Sequence, residues 1–97
     1  MRMNKWKIFC NDDVSLDESM LSELQKVANV SYFEAKQDIL LDNIQDYDAY
    51  FASGHVQANR EVLNIAKRLK VIATPSTGVD HINIKYAKEK NIDVIHI

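Results

Sequence analysis

Five short apolar blocks, each separated from the next by a stretch with helical patterning, restrict the fold of this sequence more than any other feature. The blocks cover residues 6–10, 30–33, 49–52, 71–73 and 94–97. None of them alternates strictly between apolar and polar residues, and short continuous apolar runs are typical of strands that are covered on both faces. Because strands and helices alternate along the chain, we predict a parallel α/β sheet with right-handed crossovers.

Four stretches between the blocks have apolar residues at three- and four-residue steps, which places those residues on one face of a helix. Ser15 and Glu18 have the spacing of a capping box at the start of the first stretch. The second stretch is shorter and less regular, Asn59 can cap the third, and the fourth runs over residues 83–90. The apolar positions in the four predicted helices are, in order, Leu16, Met20, Leu21, Leu24, Val27 and Ala28; Ile39, Leu40, Leu41, Ile44 and Tyr47; Val62, Ile65, Ala66 and Leu69; and Ile84 and Ala87.

The topology that we predict is a flavodoxin-like, five-stranded parallel sheet with strand order 2-1-3-4-5 and helices on both faces. In this order the first helix lies on one face, and the other three helices lie on the opposite face. Domains of this kind normally finish with a fifth helix beside the first, whereas this sequence stops inside its last apolar block. We therefore expect residues 1–97 to be a truncated form or the leading segment of a larger chain, with an undercovered apolar face that promotes self-association.

Composition excludes several classes of function. Twelve Lys and Arg against 14 Asp and Glu give a net charge of −2, which leaves no basic stripe for nucleic acid. The first apolar block is far shorter than a signal-peptide core or a membrane span, so we expect a cytoplasmic protein. With one cysteine and three scattered histidines, no metal-ligand spacing is present. Trp6 and the lone Cys10 are predicted to lie in the core.

Both glycines follow predicted strands. Gly54 comes after the third strand and Gly78 after the fourth, and these two strands are neighbours in the predicted order. Ligands of open α/β sheets bind outside the carboxyl ends of the strands, and successive N–H groups in a turn can converge on an anion such as a carboxylate. The alternative is that both glycines serve only as turn residues, which is the more common role of an isolated glycine.

Several segments resemble the N-terminal half of the D-isomer-specific 2-hydroxyacid dehydrogenases, a family that includes phosphoglycerate dehydrogenase. These segments are Tyr50-Phe51-Ala52-Ser53-Gly54, Glu61-Val62-Leu63, residues 69–82 and Asn91-Ile92-Asp93-Val94. The strongest element is a Lys-Val-Ile strand that is followed by a small residue, by Gly-Val-Asp and by a helix. The resemblance is specific from about Phe51 to Val94.

The resemblance implies that residues 1–97 are most of a substrate-binding domain whose cofactor-binding Rossmann domain is absent. It implies reversible hydride transfer between C2 of a small 2-hydroxy acid and nicotinamide, with the carboxylate held by the N–H groups of Thr77 and Gly78. Ser53 and Gly54 lie on the facing loop, so the four residues are the predicted substrate-binding set, and no catalytic residue is expected here. A small 2-hydroxy or 2-oxo acid and a homo-oligomer are the expected partners.

NAD is the implied cofactor, held by the missing domain. This sequence contains no G-x-G-x-x-G fingerprint, so we expect the 97-residue chain alone neither to bind NAD tightly nor to turn over substrate. Two positions differ from the family pattern. Ala52 stands where phosphoglycerate dehydrogenases commonly have an arginine for the substrate phosphate, which argues against phosphoglycerate. Ile95-His96-Ile97 replaces an asparagine before the hinge.

The three histidines have no obvious carboxylate partner in sequence. His55 is interpreted as an exposed loop residue that could border the cleft, and His81 as part of the start of the fourth helix. Asp80 is expected to anchor the turn or to cap that helix.

Two non-enzymatic alternatives remain. Asn11-Asp12-Asp13 after the first strand is compatible with a receiver domain that holds Mg²⁺, but such domains need an aspartate after the third strand and a lysine after the fifth, where this chain has Ser53 and His96. The two aspartates are then turn formers. The other alternative is an interaction module without catalysis.

Overall fold

A computed structural model describes residues 5–14, 17–74 and 81–96. It contains a five-stranded parallel sheet with the order β2-β1-β3-β4-β5, which confirms the predicted flavodoxin-like topology. The strands are β1 (Trp6–Asn11), β2 (Ala28–Phe33), β3 (Ala49–Phe51), β4 (Val71–Thr74) and β5 (Asp93–His96). The sheet is parallel at all four strand pairs.

Four α-helices connect the strands: α1 (Glu18–Gln25), α2 (Gln37–Asn43), α3 (Arg60–Ile65) and α4 (Ile84–Glu89). A 3-10 turn, Ile44–Asp46, continues α2, so the less regular second helix is confirmed. Asn59 caps α3 as predicted, since its side chain accepts a hydrogen bond from the Val62 N–H. Asn83 caps α4 in the same way through the Tyr86 N–H. None of the helices in the described ranges is long and apolar enough to span a membrane.

The two faces of the sheet carry separate apolar clusters. The larger cluster joins Phe9, Tyr50 and Ile72 of the sheet to buried residues of α2, α3 and α4. The smaller cluster lies on the other face, where Ile8 and Cys10 belong to it and Leu24 of α1 packs against it. The predicted division of one helix against three is therefore confirmed, and so is the buried position of Cys10. The members of the smaller cluster are Ile8, Cys10, Val14, Ala28, Ala49, Phe51 and Ala73.

Three predictions about the helices are wrong in detail. The N-cap position of α1 is occupied by Asp17, whose side chain makes no capping hydrogen bond, and Glu18 is the first helical residue instead of the third; the predicted cap Ser15, like Leu16, lies outside the described residues. Val27 is 64% exposed, because α1 ends before it and the chain turns there through a Val27 N–H bond to Leu24 O. Ala28 then begins β2 instead of continuing the helix.

Five further apolar residues that we expected to be covered are exposed, namely Trp6, Met20, Tyr32, Ile84 and Ile95. Trp6 is 44% exposed, because β3 begins opposite Ile8 and leaves the start of β1 with a strand neighbour on one side only. Ile84 is 39% exposed, whereas Ile82, just before α4, is buried. A backbone bridge between Ala58 and Ile82 draws that part of the chain inward.

The strand registers place the carboxyl ends of β1, β3 and β4 side by side. Cys10 lies beside Phe51, and Phe51 beside Ala73. One further bond, from the Ala52 N–H to Ala73 O at 2.8 Å, prolongs the contact between β3 and β4 beyond the strand itself. The chain segments that leave these strands consequently start from the same edge.

Candidate functional site

Two loops meet at this edge, and we refer to residues 11–13 and 53–55 together as the rim loops. The first follows β1 and the second follows β3, which are neighbours in the sheet although about forty residues separate them in sequence. Carboxyl ends of parallel strands are where open α/β sheets bind ligands. The rim loops are thus the described part of the candidate site.

Asn11 connects the ends of three strands. Its side chain is fully buried, and Oδ1 accepts hydrogen bonds from the Tyr50 hydroxyl and from the Ser53 N–H, the latter at 3.1 Å. Its Nδ2 donates to Glu34 O, just beyond β2, at 3.5 Å. A buried amide with donor and acceptor both satisfied fixes local geometry, so Asn11 sets where the chain leaves β3.

Asp13 ties the two rim loops together through a single carboxylate oxygen. Oδ2 accepts a hydrogen bond from the Ser53 hydroxyl at 2.7 Å and one from Nδ1 of His55, also at 2.7 Å. The His55 N–H donates in turn to Ser53 Oγ at 3.0 Å. These bonds form a closed cycle of Asp13, Ser53 and His55.

The electrostatics of Asp13 reflect this cycle. Burial is the largest single influence and raises the pKa of Asp13. Four smaller influences together outweigh it: the side-chain hydrogen bonds from Ser53 and His55, a hydrogen bond from the backbone of Asp13, and the electrostatic attraction of His55. The pKa of Asp13 consequently lies below its ordinary value. The carboxylate is therefore ionised at neutral pH and acts only as an acceptor.

The predicted substrate-binding residues differ in what they can offer a ligand. Ser53 is buried, and both its N–H and its hydroxyl are used within the rim loops. Gly54 is exposed, and its N–H has no hydrogen-bond partner among the described residues. Its φ is not positive, so its backbone does not require glycine. Thr77 and Gly78 lie outside the described residues.

The interpretation of the histidines needs one correction. His55 does have a carboxylate partner, Asp13, which sequence reasoning missed because the two are 42 residues apart. The signal that could have found the pair was the strand order, which makes the segments after β1 and β3 neighbours. His81 is buried and its Nε2 lies 3.2 Å from Thr74 Oγ1, while Asp80 is not among the described residues.

Neither a metal site nor a nicotinamide site is supported by the residues at the rim. The described residues contain no group of three metal-ligating side chains, and the Asp13 carboxylate that a receiver domain would use for Mg²⁺ is bonded to Ser53 and His55 instead. A dinucleotide cradle needs several closely spaced glycines at the start of a helix. Gly54 and Gly78 are 24 positions apart in sequence, so they do not form such a closely spaced set of glycines for a dinucleotide.

An open parallel sheet with polar loops at the carboxyl ends of adjacent strands is typical of α/β domains that bind ligands at that edge. Residues 8–97 match the sequence profile of the D-isomer specific 2-hydroxyacid dehydrogenase family, catalytic domain. The chain belongs to this family, which confirms the resemblance noted above.

The chain is also similar to individual relatives and solved structures. The chain is 37% identical over 86 residues to a glyoxylate reductase of Thermofilum pendens, covering 84% of this chain and 25% of the relative. A crystal structure of a protein from Pyrococcus horikoshii is similar with a TM-score of 0.85 and 29% identity, covering 97% of this chain and 28% of that one. The NAD⁺-bound 3-phosphoglycerate dehydrogenase of Entamoeba histolytica shares the fold, with a TM-score of 0.79 and 20% identity over 96% of this chain and 33% of that one. The chain thus spans about a quarter of the length of its curated relative.

Proposed function

We propose that this chain is the substrate-binding segment of an NAD-dependent D-2-hydroxyacid dehydrogenase that acts on a small 2-hydroxy or 2-oxo acid. The observation that carries the proposal is the match of residues 8–97 to the catalytic domain of that family. The exposed Gly54 N–H supports it, because this donor has no partner among the described residues and backbone donors at this edge suit an anionic ligand. The substrate-binding set remains Ser53, Gly54, Thr77 and Gly78, with Ser53 holding the loop and Gly54 reaching the acid.

We assign NAD to residues outside these 97. A nicotinamide supplies the hydride acceptor or donor when it is bound, and the solved structure of the Entamoeba phosphoglycerate dehydrogenase contains NAD⁺. The present residues hold and orient the acid, and closure of the rim against the cofactor would exclude water. Since the carboxylate is unchanged by reaction at C2, its donors contribute mainly uniform binding, which is expressed in KM.

The size of the substrate follows from the residue before Ser53. Ala52 is buried and belongs to the larger apolar cluster, so the position before Ser53 has no arginine to meet a distal phosphate. A short acid of the kind reduced by the Thermofilum relative, a glyoxylate reductase, suits this position better than phosphoglycerate.

Binding of the acid can be tested on the chain itself by titrating the ¹⁵N-labelled protein with oxamate, an unreactive analogue of a 2-oxo acid. We expect the Gly54 amide to shift saturably with oxamate and not with equal concentrations of chloride. The Gly54→Ala variant should fold normally, because its φ is not positive, and yet bind oxamate at least several-fold more weakly because a methyl group blocks close approach. A Gly54 amide unaffected by oxamate would contradict the proposed site.

The assignment of NAD to residues outside these 97 has its own test. Purified 97-residue chain mixed with NAD⁺ and D-2-hydroxy acids is expected to form no NADH above background. Formation of NADH would refute the assignment of the cofactor to other residues.

Homo-oligomeric assembly and a cytoplasmic location stay predictions. Large apolar side chains at the surface support assembly, since Val27, Trp6 and Tyr32 are 64%, 44% and 49% exposed. Sedimentation velocity over a wide concentration range is expected to show association, and a strictly monomeric profile would count against it.

A further inference from the structure

We propose that Asp13 is a positioning residue for Gly54, which it holds in place by binding the two residues on either side of it. The inference rests on the proposed function, since it concerns how the rim presents a backbone donor to the acid. Asp13 itself is not expected to touch the substrate.

Hydrogen bonds among Asp13, Ser53 and His55 enclose Gly54, and we refer to these three residues and their bonds as the clamp. Asp13 Oδ2 accepts hydrogen bonds from Ser53 Oγ and from His55 Nδ1, both at 2.7 Å. The clamp closes through the His55 N–H, which donates to Ser53 Oγ at 3.0 Å. The peptide groups of Gly54 are therefore bracketed on both sides while its own N–H is left without a described partner.

A glycine in an exposed loop needs such restraint. Glycine loses more conformational freedom on ordering than any other residue, and an unrestrained donor would have to be ordered by the ligand at the expense of affinity. A donor that is ordered before binding avoids that loss. The clamp restricts Gly54 without using its N–H, which is the combination that an anion site requires.

Stability is a poor alternative explanation of the same contacts. The side chain of His55 is 79% exposed and that of Asp13 is 34% exposed, and exposed ion pairs contribute little to folding. Asn11, not Asp13, makes the buried connection between the strand ends. Loss of the Asp13 carboxylate should therefore change the order of the loop far more than the stability of the chain.

The neighbouring residue provides a matched control. Asp12 carries the same charge in the same loop, and its backbone N–H bonds to Phe33 O, but its side chain makes no hydrogen bond to the described residues. Asp13→Ala and Asp12→Ala thus remove the same charge from the rim, and only the first removes the clamp. Asp13→Asn, which keeps an oxygen acceptor, should restore part of the effect.

The experiment combines ¹⁵N relaxation with oxamate titration of the three variants. We expect an order parameter of about 0.85 for the Gly54 amide in the unaltered chain and a value below about 0.6 in Asp13→Ala. Oxamate affinity should fall about tenfold in Asp13→Ala, less in Asp13→Asn and hardly at all in Asp12→Ala. In the enzyme with its cofactor domain, Asp13→Ala should raise KM with little change in kcat.

The possible failures can be told apart. If oxamate binds the unaltered chain and Asp13→Ala leaves both Gly54 order and affinity unchanged, the positioning role is wrong and the proposed function stands. An equal loss of affinity in Asp12→Ala would assign the effect to charge and also overturn the positioning role. If the unaltered chain binds no oxamate although Asp13→Ala disorders Gly54, the proposed function fails, and the substrate role of Gly54 fails with it.

Discussion

The hydroxyl of Tyr50, on β3, donates a hydrogen bond to Oδ1 of Asn11 at the end of β1, and both side chains are fully buried. Burial raises the pKa of the Tyr50 hydroxyl above its ordinary range, and the negative charge of Asp13 adds to the effect. Tyr50 is therefore protonated and able to donate throughout the physiological pH range. Because the same Asn11 oxygen accepts the Ser53 N–H, this bond connects the core to the rim.

Tyr50→Phe removes that donor without changing the packing of the ring. We expect the free energy of unfolding to fall by about 1 kcal/mol, the usual contribution of one neutral hydrogen bond, because Asn11 Oδ1 keeps the Ser53 N–H as a partner. Urea denaturation followed by circular dichroism measures the change. Tyr32→Phe is the control, since Tyr32 is 49% exposed, and an equal loss in that variant would contradict a specific role for the Tyr50 hydroxyl.

Cys10 should be inert in the folded chain. Burial, assisted by the nearby carboxylates of Asp13 and Asp12, raises the pKa of Cys10 to about 11 from 9.0. The thiolate is the reactive form, so at pH 8 a thiol reagent should modify Cys10 only when the chain opens. The rate of labelling is expected to rise with urea in parallel with unfolding, whereas rapid labelling in the absence of urea would contradict burial of this side chain.

The fold was largely predictable because its determinants are local. Continuous apolar runs separated by helical periods indicate a parallel sheet, and right-handed crossovers leave few strand orders. The start of α3 was predictable because Asn59 caps the helix through a hydrogen bond to a residue only three positions later. The errors fall where tertiary context decides. Trp6 has an apolar side chain in an apolar block, but its exposure depends on where β3 begins on the neighbouring side.

The position of the candidate site was predictable from sequence, but the hydrogen bonds between its residues were not. Gly54 could be chosen from sequence because it follows the third predicted strand, at the edge where open α/β sheets bind ligands, whereas Ser53 was chosen from the family resemblance. The pairing of Asp13 with His55 depends on two loops that are 42 residues apart, and no local pattern records it. Whether Ser53 faces a ligand or the interior is likewise decided by Asn11 and Asp13, which consume its N–H and hydroxyl.

The clamp also predicts an acid-dependent contribution to stability. The pKa of Asp13 is lowered from 3.8 in the folded chain, so between the folded pKa and the unfolded pKa the unfolded state binds more protons than the folded state. The contribution of Asp13 is therefore present above its unfolded pKa and is lost as pH falls through its folded pKa. Unfolding free energies measured between about pH 5 and pH 2 should fall less steeply in Asp13→Asn than in the unaltered chain, and an identical slope would contradict the lowered pKa.

Asn91 lies just after α4 in a left-handed conformation, and this conformation predicts how substitutions of Asn91 change stability. Its φ is 60°, its N–H donates to Lys88 O at 3.1 Å, and the Ile92 N–H donates to Ala87 O at 2.8 Å. This pair of bonds is a Schellman motif, in which glycine is preferred at the left-handed position and other residues with a Cβ are strained. Asn91→Gly should therefore leave the free energy of unfolding unchanged or raise it, and Asn91→Ala should lower it by about 1 kcal/mol. Lys90→Ala, one residue earlier and at φ −93°, is the control in the same urea titration, and a loss in Lys90→Ala as large as that in Asn91→Ala would show that the left-handed backbone is not the cause.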